Sequence, residues 1–334
     1  MNDTLACYCH GTRLLTDHGE VAVERLAIGD RVITANGTAR PIDWIGRYHI
    51  DACDYSEPDN VQPIVMRANA IAEGMPHRDL RLSPDHAVLF DDVLIPVKLL
   101  VNGASIQRET LCHSVTYYHV ELDTHDILLA EAVPAESYLD TGNRGIYENA
   151  GASAAAPAPD SGQRQREAES CRRFVDDAPS VEPFWRHLAD RAVALGFDLP
   201  VEVKTTADPD LRVVLGGRTI KPVDIGSGSY TFLLTGDLDA VRLLSRAARP
   251  CDVRPWVEDH RRLGVMVSQL TLKRGTAVEV VPLDHPHLSQ GWWDVEHAGS
   301  ALRRWTNGDA VLPLAGEGPA VLEVTVAGCL DYPA

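Results

Sequence analysis

The chain opens on Cys7-Tyr8-Cys9-His10-Gly11-Thr12, a thiol with a turn signal just behind it, followed by a short strand pattern and by Ala27-Ile28-Gly29-Asp30-Arg31-Val32. A thiol at the start of a domain can attack only what lies before it. Its natural substrate is therefore the chain's own peptide bond after Ala6, and the chemistry is self-directed. The thiol becomes a nucleophile when a base or a positive neighbour shifts it toward thiolate. Cys9 would share a face with Cys7 on a strand and is the alternative nucleophile. Cysteine is also among the most buried residue types, so plain packing is the competing role for either.

Three blocks in order carry a resemblance to a family. The first is the Cys7 to Thr12 opening with Gly29-Asp30-Arg31-Val32 leading into the next strand. The second is Ser83-Pro84-Asp85-His86-Ala87-Val88-Leu89, and the third runs from Tyr118-His119-Val120-Glu121-Leu122 through Asp123-Thr124-His125-Asp126 to Ile127-Leu128-Leu129. Together they resemble the Hedgehog/intein (Hint) superfamily of self-processing domains, over about residues 5 to 149, of the bacterial type that carries a C-terminal companion domain.

The resemblance implies that Cys7 attacks the Ala6 carbonyl to give a thioester, an N-to-S acyl shift against the resonance that keeps an amide planar and unreactive. It implies that His86 hydrogen-bonds the scissile amide and protonates the departing nitrogen, a task suited to a side chain that titrates near neutrality. Ser83 replaces the commoner Thr and orients that His or the peptide through its hydroxyl. His125 assists the second stage, attack on the thioester by water or an added thiol. His119 stands, allowing one gap, where many relatives carry Asp. Taken singly, His86 would equally suit a turn built from Ser, Pro and Asp, and His119 and His125 the outer face of an alternating strand.

Splicing needs a C-terminal His-Asn followed by Cys, Ser or Thr. Where that pair would stand the chain reads Val133-Pro134-Ala135-Glu136-Ser137, and the nearest Asn, Asn143, has no His before it. Cleavage at the N-terminal side alone is expected, and here it would release Met1 to Ala6. The substrate is the protein's own polypeptide, so the activity is intramolecular processing rather than turnover. The alternative is a catalytically inactive Hint scaffold with a binding role. A free-standing hydrolase is set aside, because Ser83-Pro84-Asp85-His86 is not a Gly-x-Ser-x-Gly elbow.

At 334 residues the chain fits two domains, each long enough to bury a core. A net charge of −17 argues against nucleic acid or an anionic membrane as partner. Seven cysteines spread over the chain do not look like a disulfide framework, and point to a reduced compartment. No cofactor and no metal site is expected: Cys7-Tyr8-Cys9 lacks Cys-x-x-Cys spacing, and Asp59, Asp91 and Asp92 do not form a calcium loop. No apolar run is long enough to span a bilayer, and the start lacks a secretory signal. Cytoplasm is the default location, with export by a signal-independent route left open.

The expected fold is all-β. Short alternating runs such as Glu20 to Val23, Arg31 to Thr34, Val61 to Met66, Ala87 to Phe90 and Val115 to Tyr118 predict strands, with Asn36-Gly37 as a hairpin turn. The stretch Leu94 to Gly103 predicts a short helix ended by Asn-Gly. The resemblance implies a Hint-type β horseshoe over 1–149. Residues 150–170 read as an Ala/Pro linker and 171–334 as a β-sandwich-like domain with one or two helices, the clearest from Val181 to Gly196. Later strands are predicted over Pro200 to Thr205, Leu211 to Leu215, Ser229 to Leu234, Ala240 to Ser245, Leu263 to Leu270 and Ala320 to Val326. Trp256, Trp292, Trp293 and Trp305 lie near Asp294, Asp309, His285 and His287. Such clusters either close a sandwich edge, the preferred reading, or stack on a sugar, so a saccharide or protein is the candidate ligand of this half. His285-Pro286-His287 lacks a third metal ligand and reads as a turn.

Overall fold

The computed structural model describes residues 6–51, 60–110, 112–150, 165–166 and 168–334. Most of the expected linker, and Met1 to Leu5 ahead of the site, lie outside the described residues. The protein is all-β and divides into two compact units, Met1–Val201 and Glu202–Ala334.

In the first unit, two sheets share the work of placing the site. Among the described residues one has six strands, in the order Ile106–Arg108, Ile64–Met66, Leu80–Leu82, Tyr8–Cys9, Ser114–Glu121, Trp44–Asp51. The two-residue strand Tyr8–Cys9 thus lies between two partners. Tyr8 pairs with Leu82 on one side and Tyr118 on the other, and Cys9 pairs with Tyr117. That register brings the start of the chain beside Ser83, which follows Leu82, and His119, which follows Tyr118. The second sheet runs Arg173–Phe174, Val93–Pro96, Ala87–Phe90, Val133–Glu136, Ile127–Ala130, Arg13–Thr16, Arg31–Ile33, Ala39–Pro41, with Gly19–Ala22 on Arg13–Thr16. Ser83 to His86 is the turn by which the chain leaves the first sheet for the second.

Local chemistry explains the register. The alternation of Ser114–Glu121 buries Val115, Tyr117 and His119 and turns the intervening residues outward. The Asn36-Gly37 turn closes Arg31–Ile33 onto Ala39–Pro41 with Gly37 at φ +81°, a conformation that glycine adopts without strain. Asn36 Oδ1 locks it by accepting from Thr38 N at 3.0 Å. Val97–Leu100 is the short helix expected in this region, of 3-10 type, and Val93–Pro96 ahead of it is a strand.

The helix Ala178–Ala194 starts at Asp177, whose carboxylate accepts from Ser180 N at 3.1 Å, and stops before Gly196 at φ +87°. It packs within the first unit. Trp185 Nε1 donates to Val101 O at 2.8 Å and Arg191 Nε to Asn69 O at 2.6 Å. The compact division falls at Val201, beyond this helix, while composition sets the expected boundary at 170/171.

In the second unit a four-stranded sheet, Arg218–Ile220, Arg212–Leu215, Val241–Leu244, Asp309–Leu312, faces a seven-stranded one. The latter is built on Asp224–Gly226, Ser229–Leu234, Ala320–Gly328, Met266–Arg274, Ala301–Thr306 and Trp292–Ala298, with Ala277–Val281 on Met266–Arg274. Val213, Leu215, Val241, Leu243 and Leu312 from the first sheet and Phe232, Leu234, Val267, Leu272, Leu322 and Val324 from the second form one apolar core. The predicted strand Pro200 to Thr205 is a correction: only Thr205–Thr206 is extended and paired, with Tyr332–Pro333, while Val201 is 93% exposed and joins no sheet.

Candidate functional site

Cys7 is fully buried, and its main-chain N–H donates to Ser83 Oγ at 2.6 Å. Ser83 N–H donates back to Cys7 O at 2.9 Å. The hydroxyl is thus seated on the nitrogen of the Ala6–Cys7 peptide bond. The turn that carries it is held at three points: His86 N donates to Ser83 O at 3.1 Å, Lys98 N to Pro84 O at 3.0 Å, and Lys98 Nζ pairs with Asp85 at 2.5 Å.

Side chains alternate about the short strand. Cys7 and Cys9 join a cluster with Trp44, Tyr117, Tyr138 and Tyr147, and Cys7 Sγ lies 3.4 Å from the Tyr147 hydroxyl. Tyr8 turns the other way, its ring 4.4 Å from that of His86 and 6.1 Å from that of His119. The Tyr8 hydroxyl donates to Glu136 O at 2.9 Å. His86 and His119 lie 5.4 Å apart, and neither His86 nitrogen nor His119 Nδ1 has a hydrogen-bond partner among the described residues.

Glu136 ties the other histidine in. Its carboxylate accepts from Ala87 N at 2.8 Å, meets Arg166 Nη1 at 3.1 Å, and lies 3.5 Å from His125 Nε2, close enough for charge pairing but not aligned as a hydrogen bond. His125 Nδ1 accepts from Cys171 N at 3.0 Å. The structure therefore places Ser83 on the Cys7 peptide, His86 in the same turn, His119 against His86, and His125 one carboxylate further away. All three histidine side chains are buried, so neither His119 nor His125 is the solvent-facing strand residue that its type alone would suggest.

Burial sets the protonation states. It pushes the Cys7 thiol up to about 12, against the Tyr147 hydroxyl and with the help of Glu136 and Asp85. Burial pulls His86 down to about 4, opposed by Glu136 and reinforced by Arg166. His119 is held well below its ordinary value by burial and then by His86. For Glu136 burial acts upward, but Arg166 and His125 outweigh it and keep the carboxyl ionised. Burial acts downward on His125 too, yet Cys171 and Glu136 push it up to about 9. The Cys171 N–H works against that rise, since it occupies the lone pair a second proton needs. The resting site is a neutral thiol and, at His86 and His119, neutral imidazoles. Cys9 is also pushed up by burial, with Arg81 opposing.

Three participants are absent from the sequence reading. In the sequence Glu136 marks the place where Asn is missing, and as a lone Glu ending an apolar strand it also signals a buried charge. Arg166 sits in the compositional linker, and Tyr147 has no motif around it. His10 points away, 3.7 Å from Glu24 on the surface. Among the described residues one group has metal-ligand spacing, Glu20, His77 and Glu131, and there Arg78 already holds Glu131 through two hydrogen bonds. In the second unit Trp256, Trp292 and Trp305 are buried, and Trp293 donates its ring N–H to Arg262 O at 2.9 Å. His287 N donates to His285 Nδ1 at 3.2 Å within the turn.

Residues 6–142 match the model of the Hint domain. The chain carries a Hint domain over that span, with a further β unit behind it. Three solved structures are similar to it. A bacterial intein-like domain from Clostridium thermocellum shares 15% identity over 40% of this chain and 99% of its own, with a TM-score of 0.31. The Msm DnaB1 intein splicing domain, solved with zinc, shares 15% over 38% and 98%, TM-score 0.30. A variant of the MchDnaB-1 intein shares 15% over 39% and 99%, TM-score 0.28. No curated protein matches the chain. Among the described residues no helix is long and apolar enough to cross a membrane.

Proposed function

We propose that the first unit cleaves the peptide bond between Ala6 and Cys7 through a thioester and does not splice. The observation that carries this reading is the 2.6 Å hydrogen bond from the Cys7 main-chain nitrogen to Ser83 Oγ, in a buried turn that also bears His86. Attack of Cys7 Sγ on the Ala6 carbonyl forms the C–S bond and breaks the C–N bond. The proton the thiol loses ends on the departing nitrogen, which Ser83 holds in line, with His86 of the same turn as its last donor. An imidazole that rests neutral takes a proton first and returns it later. Water or an added nucleophile then attacks the thioester, with His125 assisting this second stage. Glu136 where Asn would cyclise leaves the downstream bond intact.

The second reading, a Hint scaffold without catalysis, is favoured by the Cys7 thiol at about 12 and by the unpartnered His86 ring. One experiment separates them. The intact mass of the full chain, with and without hydroxylamine, should show loss of the residues ahead of Cys7. Cys7→Ala should abolish the loss and Cys9→Ala leave much of it. No loss between mildly acidic and mildly basic pH, also with a folded reporter fused ahead of Cys7, would favour the scaffold.

A further inference from the structure

The Hint match ends at residue 142, yet the buried carboxylate at the heart of the histidine cluster is neutralised from beyond it. Arg166 Nη1 reaches both oxygens of Glu136, at 3.1 and 3.4 Å, and its guanidinium stacks on Phe174 with 4.5 Å to the ring centre. The chain that follows is fastened to the same sheet. Cys171 N caps His125 Nδ1, Arg173–Phe174 lies parallel on Val93 and Leu94, and Val175 N donates to Leu94 O at 2.9 Å. Cys171 and Phe174 pack on the core formed by Ala87, Leu94 and Ile127. This is a strap laid along the edge of the sheet that carries Glu136.

We propose that Arg166 is a positioning residue of the processing site, acting through Glu136 on His125 and on the turn that carries His86, and that the strap is a working part of the Hint unit. The physical reason is the position of Glu136. Its Oε1 holds the Ala87 N–H next to His86, and its Oε2 faces His125. A carboxylate buried to this depth keeps one orientation only while its charge is met, and removal of a single partner of such a pair leaves the other uncompensated. Arg166 supplies that partner with little freedom of its own, because Phe174 fixes the plane of its guanidinium.

The activity arm of the test rests on the processing reading; a second arm does not. In the full chain with a reporter ahead of Cys7, Arg166→Met keeps an apolar stem over Phe174 but removes the charge. It should slow hydroxylamine-induced cleavage about 10- to 100-fold, as misplacement of a catalytic group does, while Arg166→Lys restores a large part of the rate. Nitrogen-15 spectra of the His86, His119 and His125 rings should shift in the Met variant and return toward wild type in the Lys variant. Unchanged ring spectra and an unchanged rate in Arg166→Met would overturn the proposal. So would equal loss in the Met and Lys variants accompanied by equal loss of melting temperature, which marks a purely structural contact. Should the wild-type chain not cleave at all, the processing reading falls, and the ring spectra alone decide whether Arg166 orders the cluster.

Discussion

The two units are made of the same material and differ in what they bury. Of the buried polar or charged residues described, Thr271 and Thr306 alone lie in the second unit; the first unit buries Ser83, His86, His119, Glu131 and Glu136 among others. In the second unit Thr306 Oγ1 meets the Val265 N–H at 3.1 Å, and among the described residues the buried side-chain atoms left without a partner there are Arg246 Nε and Arg274 Nε, far apart in sequence. In the first, four ring nitrogens of three histidines have no hydrogen-bond partner among the described residues, and one of them, His125 Nε2, faces the Glu136 carboxylate at 3.5 Å. A buried polar group without a partner costs about 1–3 kcal/mol. Several histidine nitrogens grouped in this way support the proposal that the chemistry lies in the first unit.

The strongest way to break the comparison is at His86. If the cluster is a site, His86→Ala should slow thioester formation about 10²- to 10⁴-fold, the usual range for a general acid or base. His125→Ala should slow release more than formation. Quenched-flow mass spectra resolve the two steps, and equal loss of both in both variants would dissolve the assignment of roles.

The next effect is on stability. His86 binds its proton near pH 4 when folded and near 6.5 when unfolded, so between those values the unfolded state holds more protons and the first unit weakens as pH falls. The depressed pKa of His119 and Glu136 acts in the same sense, whereas raised His125 weakens the fold only as pH rises above about 6.5. From His86 alone the loss between pH 6.5 and 4 is about 3 kcal/mol. Hydrogen exchange on the full chain should show it in Leu80–Leu82 and Ser114–Glu121 and not in Met266–Arg274. A uniform loss across both units would remove the cluster as its cause.

Much of this was legible and some was not, for reasons that differ by residue. Asn36-Gly37 and the helix ending before Gly196 are read from local rules, because backbone preference alone decides them. Cys7, Ser83 and His86 stand out by types and order that match the proposed reaction, and the fold brings Ser83 onto the Cys7 peptide with His86 in the same turn. Pro200 to Thr205 looks like a strand by composition, yet a strand needs an edge to join, and composition does not say whether one is there. Arg166 and the helix Ala178–Ala194 belong to the first unit through contacts with Glu136, Val101 and Asn69, far away in sequence. A proline-rich interval between them and the Hint match hides that return.

A smaller pair of substitutions sharpens the same contrast. Ser83→Ala leaves the Cys7 N–H without its acceptor, and Thr306→Val does the same to Val265 N–H, so each should destabilise by about 1–3 kcal/mol. Urea midpoints should fall together, while the cleavage rate should fall in Ser83→Ala alone. A rate that drops in Thr306→Val as well would tie the activity to global stability.

The central claim is a thioester at Cys7, and the most direct measurement is the identity of both new ends. After hydroxylamine treatment of the full chain with a reporter ahead of Cys7, tandem mass spectra should find a hydroxamate on the Ala6 carbonyl and a remaining chain that begins at Cys7. A carboxylate or hydroxamate at any other residue, or an intact Ala6–Cys7 bond after prolonged treatment, would contradict the account.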